Sequence, residues 1–262
     1  MINMTRIQGI IYRHLLPTFR DPIRIADMFY WPLVDITLFG FMATWAQEKM
    51  VGDSSFMLAL ITCVASWYLV QRTALEIARN VLMEMWDNHL VNLFATPLSL
   101  SELMIALMFL GAVQALITFV YSLSIIWIFY SQNIFLLIGS LLPFIVLLII
   151  SGWIIGFIIV SLLLFFGKTV DTLPWAVLWL FAIISGAFYP VKLFPKLLQN
   201  IAYSFPTTYL FEGMREMIIY HQAPYYYLAT GFVLICIYFV ISSLILKWSF
   251  EKSKQKGLAR LE

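Results

Sequence analysis

Apolar residues in this chain fall in long runs separated by short polar stretches, and the run lengths predict helices that cross a bilayer. A spanning helix needs about 20 mostly apolar residues, because the hydrocarbon core is about 30 Å thick and each residue rises about 1.5 Å. Six stretches reach that length: 28–46, 55–76, 102–130, 135–166, 173–190 and 224–248. The third and fourth exceed it, which predicts tilt or ends that protrude into water. The expected fold is an all-α integral membrane protein with six transmembrane helices in a single domain over 1–262. An arm occupies 1–27, the spans lie within 28–248, and a basic tail covers 249–262.

Three segments outside the spans are also patterned. In the arm, Arg6, Arg13, Arg20 and Arg24 fall within about 40° of each other at 100° per residue, with Met4, Ile7, Ile11, Leu15 and Phe19 opposite. This predicts an interfacial amphipathic helix whose arginines face anionic lipid or a cytoplasmic partner, broken at Pro17 and Pro22. The second span changes character after Leu69. Arg72, Glu76, Arg79, Asn80, Glu84 and Asp87 recur on one helical face, while Ala74, Ile77, Val81 and Met85 face away. A helix leaving the membrane with one wet side is expected.

Residues 86–94 then predict a short helix that ends before Thr96-Pro97. Ser99 and Glu102 have capping-box spacing for the start of the third span. A short apolar and acidic helix between two spans suits docking into a groove on another protein. Its anchors would be Trp86, Leu90, Leu93 and Phe94, with Glu84 and Asp87 beside them. The third segment, 185–216, is punctuated by Gly186, Pro190, Pro195 and Pro206, and leaves two apolar pieces too brief to span. It is expected to fold back as re-entrant outer half-helices between spans five and six. Glu212 and Arg215 lie one turn apart and are spaced to pair. The segment reads either as an outer gate or as a structured cap that does not gate.

Composition removes the soluble alternatives. Only 11% of residues are charged and 62% are hydrophobic, with a mean hydropathy of +0.91; a soluble domain carries about 25% charge. The 16 basic and 14 acidic side chains say more by position than by their net of +2. With six spans, the arm, the 77–101 and 167–172 loops and the tail share one face. That face holds most of the Lys and Arg, including Lys247, Lys252, Lys254, Lys256 and Arg260. The 47–54 and 191–223 segments lie on the other face, which holds chiefly Lys49, Lys192, Lys196 and Arg215. The positive-inside bias makes both termini of a multi-pass protein cytoplasmic. The arm carries four arginines and no continuous apolar segment, so no cleavable signal peptide is expected.

Candidate chemistry is sparse. Asp35 is the one acid away from the ends of a predicted span, where a charge costs about 2.5–3.5 kcal/mol on insertion scales. It is expected to line a path or a contact between two copies, or else to make an interhelical hydrogen bond. Gly152 and Gly156 form a small-xxx-small pair suited to close helix packing. Cys63 and Cys236 sit in apolar runs and read as packing residues. His14, His89 and His221 are scattered, so no metal site is indicated. Gly167-Lys168-Thr169 imitates the end of a phosphate-binding loop, but Leu162 stands where its first glycine belongs and a membrane helix precedes it. Trp31, Trp45, Trp127, Trp248 and Tyr225-Tyr226-Tyr227 lie near span ends, as anchoring aromatics do, and no nucleic-acid platform is expected.

Several stretches resemble the membrane subunit, or permease, of the type-2 ABC exporter family. The most specific are ATPLSLSELMIAL at 95–107 and, in the outer segment, Gly186, Phe188-Tyr189-Pro190, Pro195, Pro206-Thr207-Thr208-Tyr209 and Glu212-Gly213-Met214-Arg215. RDPIRIADMFYWP at 20–32 is similar to the arm-to-span junction of bacterial members. The resemblance covers nearly the whole chain and is loose within the spans. It implies a homodimer or heterodimer of permeases in the bacterial plasma (inner) membrane, each resting on a separate cytoplasmic ATPase. That partner would carry ATP and Mg, with no cofactor on this chain. It further implies that the arm and the 77–98 loop contact the ATPase, and that substrate leaves between the two permeases. Two other classes compete. An ion-coupled transporter predicts several buried ionisable residues and a paired repeat. An intramembrane transferase or hydrolase predicts a His, Asp, Glu or Arg cluster near one interface.

Overall fold

The computed structural model describes residues 3–49, 54–222, 224–255 and 257, and the regular elements among them are all helical. The arm forms α1 (Met4–Arg20), which is followed by α2 (Pro22–Lys49) and α3 (Ser54–Trp86). The short α4 (Leu90–Ala95) leads into α5 (Leu100–Tyr130) and α6 (Ile138–Phe166). After α7 (Leu173–Ile184), the chain makes α8 (Lys196–Ala202), α9 (Pro206–Tyr220) and α10 (Tyr225–Gln255).

α3 is the axis of the bundle. Its central stretch is 83% buried, against 22% for α2 and 17% for α10, so the last two present most of their surface outward. α5 and α6 grip it through small residues. A Cβ on Gly152 would come within 2.7 Å of the Val70 carbonyl and of Thr73, and one on Gly111 within 3.0 Å of the Thr73 carbonyl. Gly156 meets Ile77 and Ala74. The small-residue pair therefore seats α6 on α3, within the chain. α2 closes one side, and Phe29 meets Tyr121 of α5 edge-on at 4.8 Å.

Among the described residues, five helices are long and apolar enough to cross a membrane: Pro22–Trp45, Ser55–Trp86, Leu100–Tyr130, Ile134–Phe166 and Tyr225–Gln255. The predicted fifth span, 173–190, behaves differently. Only Leu173–Ile184 is helical there, about 18 Å of rise, and the chain turns at 185–189. Gly186, at φ +71°, takes the left-handed conformation that permits the turn.

Two expectations about local structure are corrected. Pro17 does not break the arm: α1 runs through it to Arg20, and the break comes at Asp21, with Pro22 opening α2. Proline at a helix start forfeits no hydrogen bond, which explains why Pro22 marks the boundary and Pro17 only removes one donor. The second span and the polar helix after it are one continuous 33-residue helix, and its polar side is buried rather than wet. Lys256 and Arg260, used above to orient the spans, lie outside the described residues, as does the 50–53 part of the 47–54 loop.

Candidate functional site

The polar side of α3 is covered by the arm at Glu84 and by α2 at Arg72 and Arg79. α1 starts at Asn3, whose side chain accepts from the Thr5 amide at 3.0 Å, and turns Ile7, Ile10, His14 and Thr18 inward. Beside them, Arg13 forms a two-pronged pair with Glu84, Nε to Oε1 at 2.8 Å and Nη2 to Oε2 at 2.7 Å. The planar guanidinium matches a carboxylate in this geometry. His14 Nε2 lies 3.5 Å from Glu84 Oε1, makes no hydrogen bond, and is buried. Burial holds its pKa below the usual value, against the raising effect of Glu84.

A second knot joins α2 to α3. Asp27 Oδ2 accepts from Arg72 Nη1 at 2.9 Å and from Arg79 Nη2 at 3.0 Å, and Arg72 also reaches the Asp27 carbonyl. Arg79 lies over the Trp175 ring of α7 at 5.8 Å. One turn along α3, Asn80 Nδ2 donates to Glu76 Oε1 at 2.7 Å and to the Glu76 carbonyl at 2.8 Å. Arg24 donates to Thr18 Oγ1 at 3.1 Å, tying α2 back to α1. Around these groups lies a cavity of about 360 Å³ whose lining includes Arg24, Asp27, Arg79, Asp171 and Trp175.

The arm also reaches α5. Glu102 completes the capping box with Ser99, whose amide donates to Glu102 Oε2 at 2.8 Å. Its other oxygen accepts from the Asn3 amide at 2.8 Å, and Arg6 lies 3.7 Å away, with a hydrogen bond to the Pro97 carbonyl. The arm arginines therefore do not all face lipid headgroups. Arg6 and Arg13 turn toward the bundle, because buried carboxylates on α5 and α3 require partners, and Arg24 is buried against Thr18 with Asp21 3.8 Å away. In the sequence the signal was the row of charges on α3: a face bearing Arg72, Glu76, Arg79, Asn80 and Glu84 needs either water or a counter-charged neighbour. Asp27, one residue before the predicted first span, was the unread half of that pattern.

The six residues expected to dock a partner separate into two groups. Trp86 and Asp87 are exposed at the end of α3, followed by exposed Asn88 and His89. Leu90 and Leu93 are buried in the protein's own core, Phe94 packs on Phe250 of α10 at 4.6 Å, and Glu84 is taken by Arg13. Leu90, Leu93 and Phe94 hold α4 onto the bundle, Glu84 ties the arm to α3, and none of the four is a surface anchor.

At the other end of α3, the chain rises through α7 to a turn held against α9. Glu212 Oε1 accepts from the Val191 amide at 2.8 Å and from Arg215 Nη1 at 3.1 Å. Arg215 Nη2 donates to the carbonyls of Gly186 and of Ala187, the latter at 3.1 Å. Both side chains are buried. Pro190 and Pro195 precede the short turns at Val191–Leu193 and α8, and Pro206 opens α9. α9 runs antiparallel to α10: Gly213 faces Tyr227, Gly231 faces Leu210, and Tyr238 donates to the Ser204 carbonyl at 3.1 Å. The α8–α9 turn therefore lies about 20 Å of helical rise along α10 from Tyr225. Phe205 meets Phe181 of α7 there at 5.1 Å.

Asp35, on α2, accepts a hydrogen bond of 2.5 Å from the buried Tyr68 hydroxyl of α3. It is half-buried, and the contact is the interhelical hydrogen bond weighed above. No protein-family model matches the chain, and no curated protein matches it significantly.

Proposed function

We propose that this chain is the membrane-spanning permease subunit of an ATP-driven exporter of the type-2 ABC family. On this reading it moves substrate outward from the cytoplasm or inner leaflet. Its setting is a bacterial plasma membrane, with both termini cytoplasmic and a second permease copy beside it. α7 and the turn after it would make the fifth of six crossings. ATP and Mg would be bound by a separate cytoplasmic ATPase. One arrangement supports the reading: an arm locked by ion pairs onto the central helix at one end, and the buried α9, preceded by the short and largely exposed α8, folded back against the bundle at the other.

The residue roles shift accordingly. The ATPase-facing rim is best assigned to Trp86, Asp87, Asn88 and His89, which border the arm junction, so that force on the rim would reach α3 directly. Glu212 and Arg215 act as a staple that shapes the outer hairpin, with Gly186, Pro190, Pro195 and Pro206 fixing its bends, and any gating would move the hairpin as one piece. A second reading, an ion-coupled transporter, gains from the buried ionisable groups around Asp27, Arg72 and Glu76, since such groups inside a membrane protein mark ion or proton paths.

Purification from native membranes under mild detergent, followed by photolabelling with azido-ATP, separates the two. The exporter reading expects a labelled subunit that copurifies, hydrolyses ATP and is lost on Trp86→Ala with Asp87→Ala. Transport by the chain alone in liposomes, driven by an ion gradient, would overturn it.

A further inference from the structure

α5 and α10 flank α6 without closing on one another, and a groove of about 660 Å³ runs between them on the outside of the bundle. Its floor is apolar: Met104 and Met108 of α5, and Phe157 of α6, whose ring lies 5.8 Å from that of Phe239. Its rims are exposed hydrophobics, Ile105 on one side and Leu244 on the other. Along α5 it extends over Leu100–Met108, and along α10 over Phe239–Lys254, about 12 and 22 Å of helical rise. One leaflet of hydrocarbon is about 15 Å deep. The groove has the length of an acyl chain that enters from one face of the membrane.

Charge is confined to one half of the groove, and the Ser243 hydroxyl toward the other end is spent on the Phe239 carbonyl. Lys247, Glu251 and Lys254 line the mouth together with the Ser101 hydroxyl. Lys247 lies 4.0 Å from Glu251, both well exposed, which leaves Lys254 as the surplus positive charge. Lys252 turns away, over the rings of Trp248 at 4.6 Å and Phe165 at 5.2 Å. Such a Trp and Lys pair belongs at the membrane–water boundary, where the ring and the aliphatic stem lie in the apolar layer and the ammonium reaches water. The lysine mouth is therefore at headgroup height and the apolar floor at chain depth.

The geometry points to a resident anionic phospholipid in this groove, one acyl chain against Met104 and Phe157 and its phosphate between Lys247, Lys254 and Ser101. The occupant is a lipid rather than a protein helix because the charge is of one net sign, sits at one end and matches a phosphate. The site does not depend on how transport is powered. It does adjoin the short α4 helix, since Phe250 lines the groove and also packs on Phe94.

Native mass spectrometry tests this on the full chain, purified in a neutral detergent. Phosphatidylglycerol and phosphatidylcholine with the same acyl chains are supplied in equal amounts. Retention of phosphatidylglycerol about tenfold above phosphatidylcholine is expected, and Lys247→Gln with Lys254→Gln should bring the two level. Leu244→Trp, at the exposed rim, should fill the groove and lower retention of both lipids without lowering the unfolding midpoint. Equal retention by the parent protein overturns the proposal. So does a preference that survives the lysine double variant, since the headgroup would then be held elsewhere, or a lipid-free groove covered by a second copy that crosslinks through position 244.

Discussion

The two buried charge clusters at opposite ends of α3 solve the same problem by opposite means. At the arm end, the pairs join residues far apart in sequence: Arg13 to Glu84 over 71 positions, Asp27 to Arg79 over 52, and Asp27 to Arg72 over 45. At the hairpin end, Glu212 and Arg215 are three positions apart on one helix and reach a turn only 21 to 29 positions away. A charge removed from water must be paired or it costs several kcal/mol, so both clusters are constrained. The first constrains three helices against one another, and movement of the arm breaks its pairs. The second constrains one loop against its own neighbour and moves as a body. The arm end therefore ties separate helices together, and the hairpin end holds one loop in shape.

The sharpest way to break that contrast is Asp27→Ala. It removes the carboxylate that the buried Arg72 and the half-buried Arg79 share, and breaking a buried pair in this way costs about 3–5 kcal/mol. The unfolding midpoint in detergent should fall steeply, and hydrogen exchange should rise in α1, α2 and α3 together. Asp27→Asn, which retains an acceptor oxygen, should recover part of the loss. If exchange rose only around position 27, the cluster would not join the three helices. Arg215→Ala should be milder, about 2–3 kcal/mol, because the Glu212 carboxylate keeps the Val191 amide as a donor. Its exchange increase should stay within 185–205. A spread into α3 would remove the distinction between a local staple and a long-range joint.

The contrast also explains what was legible in the sequence. Run lengths located the five long helices, because a 20-residue apolar requirement is read directly from composition along the chain. Ser99 and Glu102 announced the α5 cap, and Glu212 and Arg215 their pairing, because those partners lie within one turn. What sequence reasoning missed was long-range. Nothing local tells that Asp27 is the partner of Arg72, or that Glu84 belongs to Arg13 and not to another protein. Leu90, Leu93 and Phe94 looked like docking anchors for the same reason: an apolar side chain that fills the protein's own core and one that awaits a partner have the same sequence signature. The 185–216 segment was visible as proline punctuation, while 173–190 read as a full span; how these short helices pack depends on contacts with Phe181, Gly213 and Tyr238 that no spacing encodes.

The smallest effect, and the most specific to the arm end, is its response to acid. His14 is buried against α3, 3.5 Å from Glu84, with Arg13, Glu76 and Arg24 also acting on it. Burial is the largest influence and keeps the imidazole neutral to lower pH than in the unfolded chain, whose value is about 6.5. Below pH 6.5 the unfolded arm therefore binds protons that the docked arm resists, and stability falls as pH drops through that window toward the docked value. Above pH 6.5 the contribution is complete and flat. Hydrogen-exchange protection of residues 4–20, corrected for the intrinsic exchange rate, should decline between pH 7 and pH 5. His14→Gln should flatten the decline, while protection of 206–220, held by the Glu212–Arg215 staple, should change little in either protein. An equal decline in the His14→Gln variant would assign the acid response to the carboxylates at the junction, and His14 would then be only a packing residue under the arm.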